Sequence, residues 1–281
     1  MMPLYRSRGN AAVTQTVRPP AVAGTFYPAL ADMLENQVKR YLAEARLPDL
    51  PGVVRAVIAP HAGYIYSGPV AAYSFKALAL DPATTYTFYL MGPAHYLPAD
   101  HVALAGHKAF STPLGTLPVA EDAVARLQEK DSRFSVQNAP HGPEHCLEVE
   151  LPFLQVLDGE SSRVVPMLLV QSDLPRVAEV LAEVFREDPN SRLIVSSDLS
   201  HYHPYQMARA LDTGFLEAVV AGDIQEASRG EACGKASILV LMHMARALGW
   251  QPHLLDYRNS GDTAGDRSRV VGYAAVAYTE G

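Results

Sequence analysis

The sequence predicts a single α/β domain with a central mixed, largely parallel sheet flanked by helices. Three observations carry this reading. Strand-like and helix-like segments alternate along the chain, which implies parallel or mixed strands covered by helices. The run Arg163 to Val170 is almost continuously apolar, as expected of a strand buried on both faces. Three other apolar runs each end in a short turn that holds histidine: Arg55–Ala59 before Pro60-His61, Tyr86–Met91 before Gly92-Pro93-Ala94-His95, and Arg192–Ser197 before Asp198 and His201. In an open α/β sheet, ligands bind outside the carboxyl ends of the strands. The fold class therefore gathers these histidines at one place.

The elements follow in order. Residues 1–17 read as a polar lead-in, and residues 18–281 as one domain without a linker or internal repeat. Leu30 to Ala45 has helical periodicity, with Leu34, Val38, Tyr41 and Leu42 on one face. Pro48 and Pro51 break the chain before the first strand, Arg55–Ala59. Gly68 to Leu80 reads as a helix, Tyr86–Met91 as a strand, and residues 97–118 as short β pieces and turns. Glu121 to Glu129 reads as a short helix with Ala125 and Leu127 toward the core. His145 to Leu157 is a helix candidate with Leu147, Leu151 and Leu154 at helical spacing. After the Arg163 strand come a helix over Leu174–Arg186 and a strand over Leu193–Ser197. Helices then cover Tyr205–Ala221, Asp223–Arg229 and Gly234–Leu248. Strands over Leu254–Arg258 and Val270–Thr279 close the chain.

Bulk properties narrow the function classes. At 281 residues and 48% hydrophobic composition, the chain can bury roughly three quarters of its unfolded surface. A formal net charge of −7 supplies no basic stripe for phosphates, so neither nucleic acid nor an anionic membrane is the expected partner. Two cysteines, Cys146 and Cys233, make no disulfide framework and fit a reducing compartment. With no apolar run long enough to span a bilayer, the expected location is the cytoplasm.

Each candidate site residue has a plainer alternative. His61 and His95 share one design of strand, Gly/Pro turn and histidine. Either alone reads as a loop histidine, but the pair would put two imidazoles on one sheet edge, and neutral imidazole is the commonest metal-binding side chain. Asp198 and His201 crowd a third strand end, with His203 the bystander. A carboxylate beside imidazoles serves as ligand, base or orienter, although Asp198 reads equally as a helix N-cap. Cys233 precedes Gly234 at the start of a helix, where a thiol pKa is lowered. Its alternative is a small buried hydrophobe, which fits Cys146 better. His141, Glu144, His145 and Glu148 form a further polar cluster, with His145 and Glu148 spaced to share a helix face. That cluster reads as a salt-bridged surface or as substrate contacts. The loop Asn259–Asp266 lacks a phosphate-loop pattern. It reads as a long turn or as a cover that brings Ser260 and Asp262 to the site.

At these residues the chain resembles the Memo family, whose prokaryotic members are called AmmeMemoRadiSam system protein B. The matching stretches include Ala23-Gly-Thr-Phe-Tyr-Pro28, Ala59-Pro-His-Ala-Gly-Tyr64, Met91-Gly-Pro-Ala-His-Tyr96, Glu144-His-Cys-Leu-Glu-Val-Glu-Leu-Pro-Phe153, Ser196-Ser-Asp-Leu-Ser-His201, Ala232-Cys-Gly234 and Tyr257-Arg-Asn-Ser-Gly-Asp262. The resemblance implies a fold similar to the catalytic subunits of class III extradiol dioxygenases, which use non-haem Fe(II). It implies metal ligands at His61, His95 and Cys233, with His201, Asp198 and His145 as the catalytic groups around them. A thiolate in place of the usual carboxylate makes a softer site, suited to Fe(II) and also to Cu or Zn. The resemblance also implies radical-SAM and AMMECR-type proteins as partners in a shared pathway.

Three functions are consistent with this sequence. The first is a non-haem metal-dependent redox enzyme acting on a small molecule. The second is a Cys233-dependent hydrolase or transferase with His201 as base and Asp198 as orienter. The third is a peptide- or ligand-binding adaptor without catalysis.

Overall fold

A computed structural model describes residues 16–158, 162–170 and 172–281. The strands are β1 Val17–Arg18, β2 Val53–Ala59, β3 Thr87–Gly92, β4 Val102–Leu104, β5 Ala109–Thr112, β6 Gly115–Pro118, β7 Phe134–Val136, β8 Arg163–Leu169, β9 Ser191–Ser196, β10 His201–His203, β11 Gln251–Asn259 and β12 Val270–Glu280. The helices are α1 Ala31–Glu44, α2 Tyr64–Ala77, α3 Glu121–Lys130, α4 Asn138–His141, α5 Leu151–Asp158, α6 Leu174–Glu187, α7 Tyr205–Ala221, α8 Ile224–Ala227, α9 Lys235–Leu248 and α10 Ser260–Thr263. The lead-in read over residues 1–17 lies outside the described residues except for Thr16 and Val17. Val17 already belongs to β1.

The large sheet has the order β10-β12-β2-β9-β3-β8-β4-β7, with β11 also paired to β12. Its four central strands, β2, β9, β3 and β8, are parallel. Antiparallel pairs flank them on both sides, β12 against β2 and β4 against β8. The chain moves from β2 to β3 in one direction along the sheet and from β8 to β9 in the other. Right-handed crossovers then put α2 and α6 on opposite faces. The central strands are buried along almost their whole length, which is why their sequences run apolar without alternation. Pro166 sits inside β8, where proline has no N–H for a ladder. β4 pairs with β8 only from Met167 onward, past the proline. A separate three-stranded sheet, β1-β5-β6, anchors the start of the described chain.

The structure departs from the sequence reading in three local ways. Helix α2 begins at Tyr64, a turn before Gly68. Its first N–H donates to Phe26 O at 2.7 Å, and the Tyr64 hydroxyl donates to Val149 O at 2.6 Å, so tertiary partners extend it ahead of Pro69. In α3 the core residues are Ala123, Val124 and Leu127, whereas Ala125 is exposed. The stretch 145–157 is not one helix: a turn and a single 3-10 turn at Glu148–Glu150 precede α5. Leu147, Leu151 and Leu154 are buried nonetheless. Spacing alone did not reveal the break.

Candidate metal centre

The carboxyl ends of β2, β3 and β9 deliver His61, His95 and Asp198 to one cavity of about 830 Å³. His145 and His201 also line it, with Phe26, Tyr66, Tyr202 and Arg269 among its walls. The rings of His61, His95 and His145 stand 4.9–5.4 Å apart between centroids. One nitrogen from each lies within 4.8 Å of the others. The sequence candidates therefore converge, although they come from three separate segments.

Each of the first two imidazoles has one nitrogen already engaged. His61 is almost fully buried, and its Nδ1 meets the Ser196 hydroxyl at 2.8 Å. Its backbone N–H donates to Asp198 Oδ1 at 2.8 Å. Burial first, then the neighbouring imidazoles of His145 and His95, push its pKa well down, so it is a neutral donor, the form that binds metals. His95 has a side chain 29% exposed at the open side of the cavity. Its Nδ1–H and backbone N–H donate to Glu144 at 2.9 and 2.6 Å. In both residues Nε2 is the nitrogen left for a ligand.

Glu144 clamps the rest of the cluster. It also accepts the backbone N–H groups of His145 and Cys146 at 2.9 and 3.0 Å. His145 Nδ1 approaches Glu144 Oε1 at 3.2 Å, but outside hydrogen-bond geometry, and this buried nitrogen has no other partner among the described residues. Burial opposes ionisation of Glu144. The close His145 ring, the His95 side chain and the backbone N–H groups outweigh it and hold the carboxyl well below its usual range.

Cys233 Sγ lies 3.2 Å from His61 Nε2. Bonds of about 2.0 Å to nitrogen and 2.3 Å to sulfur give a tetrahedral edge of about 3.5 Å, so this pair is spaced to share one ion. Gly234 allows the approach: a Cβ there would stand 2.6 Å from Ser196 O. The lowered thiol pKa expected at a helix start is reversed. Burial, then the Asp198 carboxylate, push the Cys233 thiol up to about 12. The backbone N–H groups of Asp198, at 3.2 Å, and of Gly234, with the Ser197 hydroxyl, are too little to offset them.

Asp198 is a pocket residue and not a helix cap, because β10 follows it and its carboxylate binds the turn after β2. Burial pushes its pKa up to about 6. His203 turns away to Glu231 at 2.9 Å. The polar cluster at 141–148 divides: His145 lines the cavity and Glu144 stands behind it on His95, while His141 binds Ala103 O and Glu148 pairs with Arg18. Ser260 lines the cavity, but Asp262 caps Asn259 and receives the Tyr205 hydroxyl. Sequence reasoning passed over Ser196 and Glu150, which meet behind His61 at 2.6 Å. The available signal was an acidic residue inside the apolar run Leu147–Phe153.

Comparison with known proteins finds similarity along nearly the whole chain. A family model described as Memo-like protein matches residues 18–277. A MEMO1 family protein of Methanopyrus kandleri is 37% identical, covering 94% of this chain and 99% of its own. One from Ignicoccus hospitalis is 37% identical over 93% and 98%, and one from Aeropyrum pernix 36% over 92% and 99%. With the match running from β1 almost to the end of β12, the chain belongs to the Memo family.

Proposed function

We propose that this protein is a metal-dependent redox enzyme that binds one iron or copper ion on His61 and His95, with Cys233 and His145 completing the donor set, and acts on a small molecule held in the same cavity. The observation that carries the reading is the convergence of three imidazole nitrogens within 4.8 Å at the carboxyl ends of parallel strands, the expected place for an α/β site. The donors fit such an ion. His61 is neutral, His61 and His95 both have Nδ1 engaged so that Nε2 is the nitrogen a metal would take, with His61 Nε2 already against Cys233 Sγ, and the sulfur of Cys233 suits iron or copper better than a hard cation.

Bound iron or copper would supply one-electron and oxygen chemistry at that point. The remaining residues handle protons and the substrate. Asp198, held near 6 by burial, exchanges a proton close to neutral pH, the range useful to a general acid or base. His201 stands on the same wall as a second proton acceptor. Phe26, Tyr66 and Tyr202 offer aromatic faces, and Arg269 lies 5.2 Å from the Tyr202 ring centre. These features favour a small, partly aromatic molecule that carries a negative group. A nucleophilic role for Cys233 is less well supported, because its thiol stays protonated in this burial.

The test is the metal content of anaerobically purified protein beside His61→Ala, Cys233→Ala and His145→Ala. Wild type should carry about one equivalent, and His61→Ala should carry none. The two other variants identify the completing donor by which one loses the ion. Wild type without metal after reconstitution, or His61→Ala that keeps it, overturns the proposal.

A further inference from the structure

Behind His61 the Ser196 hydroxyl has three partners. His61 Nδ1 lies at 2.8 Å, Glu150 Oε1 at 2.6 Å and the carbonyl oxygen of Cys146 at 2.7 Å. All four residues are buried. A hydroxyl donates one hydrogen bond and accepts two. A carbonyl oxygen only accepts, so Cys146 O takes the Ser196 proton. The two other partners must then donate, His61 from Nδ1–H and Glu150 from the O–H of a carboxylic acid. Any other assignment leaves two bare acceptors facing each other among buried residues, and an unmet buried hydrogen bond is costly.

Two further observations agree with this count. Burial pushes the Glu150 carboxyl well above its ordinary range. Glu150 Oε2 is buried with no partner among the described residues, which a neutral acid tolerates and a carboxylate does not.

We propose that Ser196 and Glu150 are positioning residues: they lock His61 in the Nδ1–H tautomer, so that an unprotonated Nε2 faces the cavity and Cys233. Imidazoles that bind metals almost always donate their second N–H to a fixed acceptor. His95 uses the ionised Glu144 for this, whereas His61 uses a hydroxyl whose own proton is turned away from it. The value of the lock rests on the metal reading above, but the tautomer is a property of the metal-free protein.

Nitrogen-15 correlation spectra of metal-free protein with labelled histidine report which ring nitrogen carries the proton. In wild type, His61 should carry it on Nδ1. Glu150→Gln, whose amide N–H replaces the acid O–H, should keep that tautomer and its metal affinity within about two-fold. Ser196→Ala should shift His61 toward the Nε2–H form and weaken metal binding by about 10- to 100-fold. A wild-type His61 protonated on Nε2 overturns the proposal. So does a loss of about ten-fold or more in Glu150→Gln, because it would mean that an ionised Glu150 had been serving the metal. The wild-type spectrum and Glu150→Gln decide the matter even where Ser196→Ala does not fold. A wild type that shows the Nδ1–H tautomer but binds no iron or copper supports this proposal while overturning the metal reading.

Discussion

Glu144 and Glu148 are four residues apart, both buried, and they serve opposite sides of one turn. Glu144 backs the histidines of the cavity and is held ionised by two imidazoles and three backbone N–H groups. Glu148 faces the sealed interior. It accepts from Arg18 at 2.6 Å, from the Tyr27 hydroxyl at 2.6 Å and from the N–H groups of Ala21 and Val22. In an α-helix residues 144 and 148 would share a face. The turn and 3-10 turn before α5 send them apart, so one carboxylate orients site histidines and the other fastens the segment 18–27. That segment places Phe26 against His145, ring centres 4.8 Å apart. The difference teaches that a buried charge is assigned its role by partners of fixed geometry, and that the break in the helix is what separates the partners.

The largest effect that would break the comparison lies on the sealed side. Arg18→Met leaves the Glu148 carboxylate buried without its cation, and breaking a buried pair from one side costs about 3–5 kcal/mol. Denaturant unfolding should show that loss. Arg18→Met combined with Glu148→Leu should recover a large part of it, because replacing both partners removes the stranded charge. A single variant as stable as wild type would mean that Glu148 does not need Arg18.

A second effect on the same side depends on pH. His141 Nε2–H donates to Ala103 O at 3.0 Å. Burial first, with Arg18 contributing, lowers its pKa to about 4. The unfolded chain takes up a proton near pH 6.5 while the native state refuses it down to about 4. Stability from this group is therefore full above about 6.5 and is lost as pH falls, reaching about 3 kcal/mol below pH 4. Unfolding free energies of wild type and His141→Gln, compared from pH 7.5 to 4, isolate it from the carboxylates that titrate nearby. The wild-type curve should fall more steeply. Parallel curves would show that His141 is protonated as readily in the fold as outside it.

On the cavity side the expected change is in binding more than in folding. Glu144→Gln keeps the shape but weakens the acceptor for His95 and the backbone N–H groups. Loss of such a ligand-orienting carboxylate lowers metal affinity by about 10- to 100-fold. Competition with a metal chelator measures it. An affinity within about two-fold of wild type would place Glu144 beside Glu148 as a structural residue and erase the contrast.

Much of this was readable from the residues. The strand ends at Ala59, Met91 and Ser197 carried their histidines to one edge because strand direction fixes where the following turn lies. His61, His95, Asp198 and His201 were thus visible as a group. The break at 145–150 was not. Leu147, Leu151 and Leu154 satisfy a helical period and are buried, while hydrogen bonds from residues 130 positions away decide the backbone there. The environment of Cys233 was hidden for the same reason. A helix start predicts a lowered thiol pKa, but burial and Asp198 arrive from another strand.

The smallest expected effect tests which face of α3 is buried. In α3 Ala125 and Leu127 stand two residues apart and so on different faces of the helix, whereas Ala123, Val124 and Leu127 share one. The structure buries the second set and leaves Ala125 in solvent. Ala125→Ser should therefore change stability by no more than about 0.5 kcal/mol, the range of exposed positions. Val124→Ala, which removes two buried methyl groups, should cost more, about 1–2 kcal/mol on the scale of 0.8 kcal/mol per buried carbon. Equilibrium unfolding of both variants measures the order directly. A larger loss at Ala125 than at Val124 would turn the helix over, and with it the face that Leu127 is taken to share.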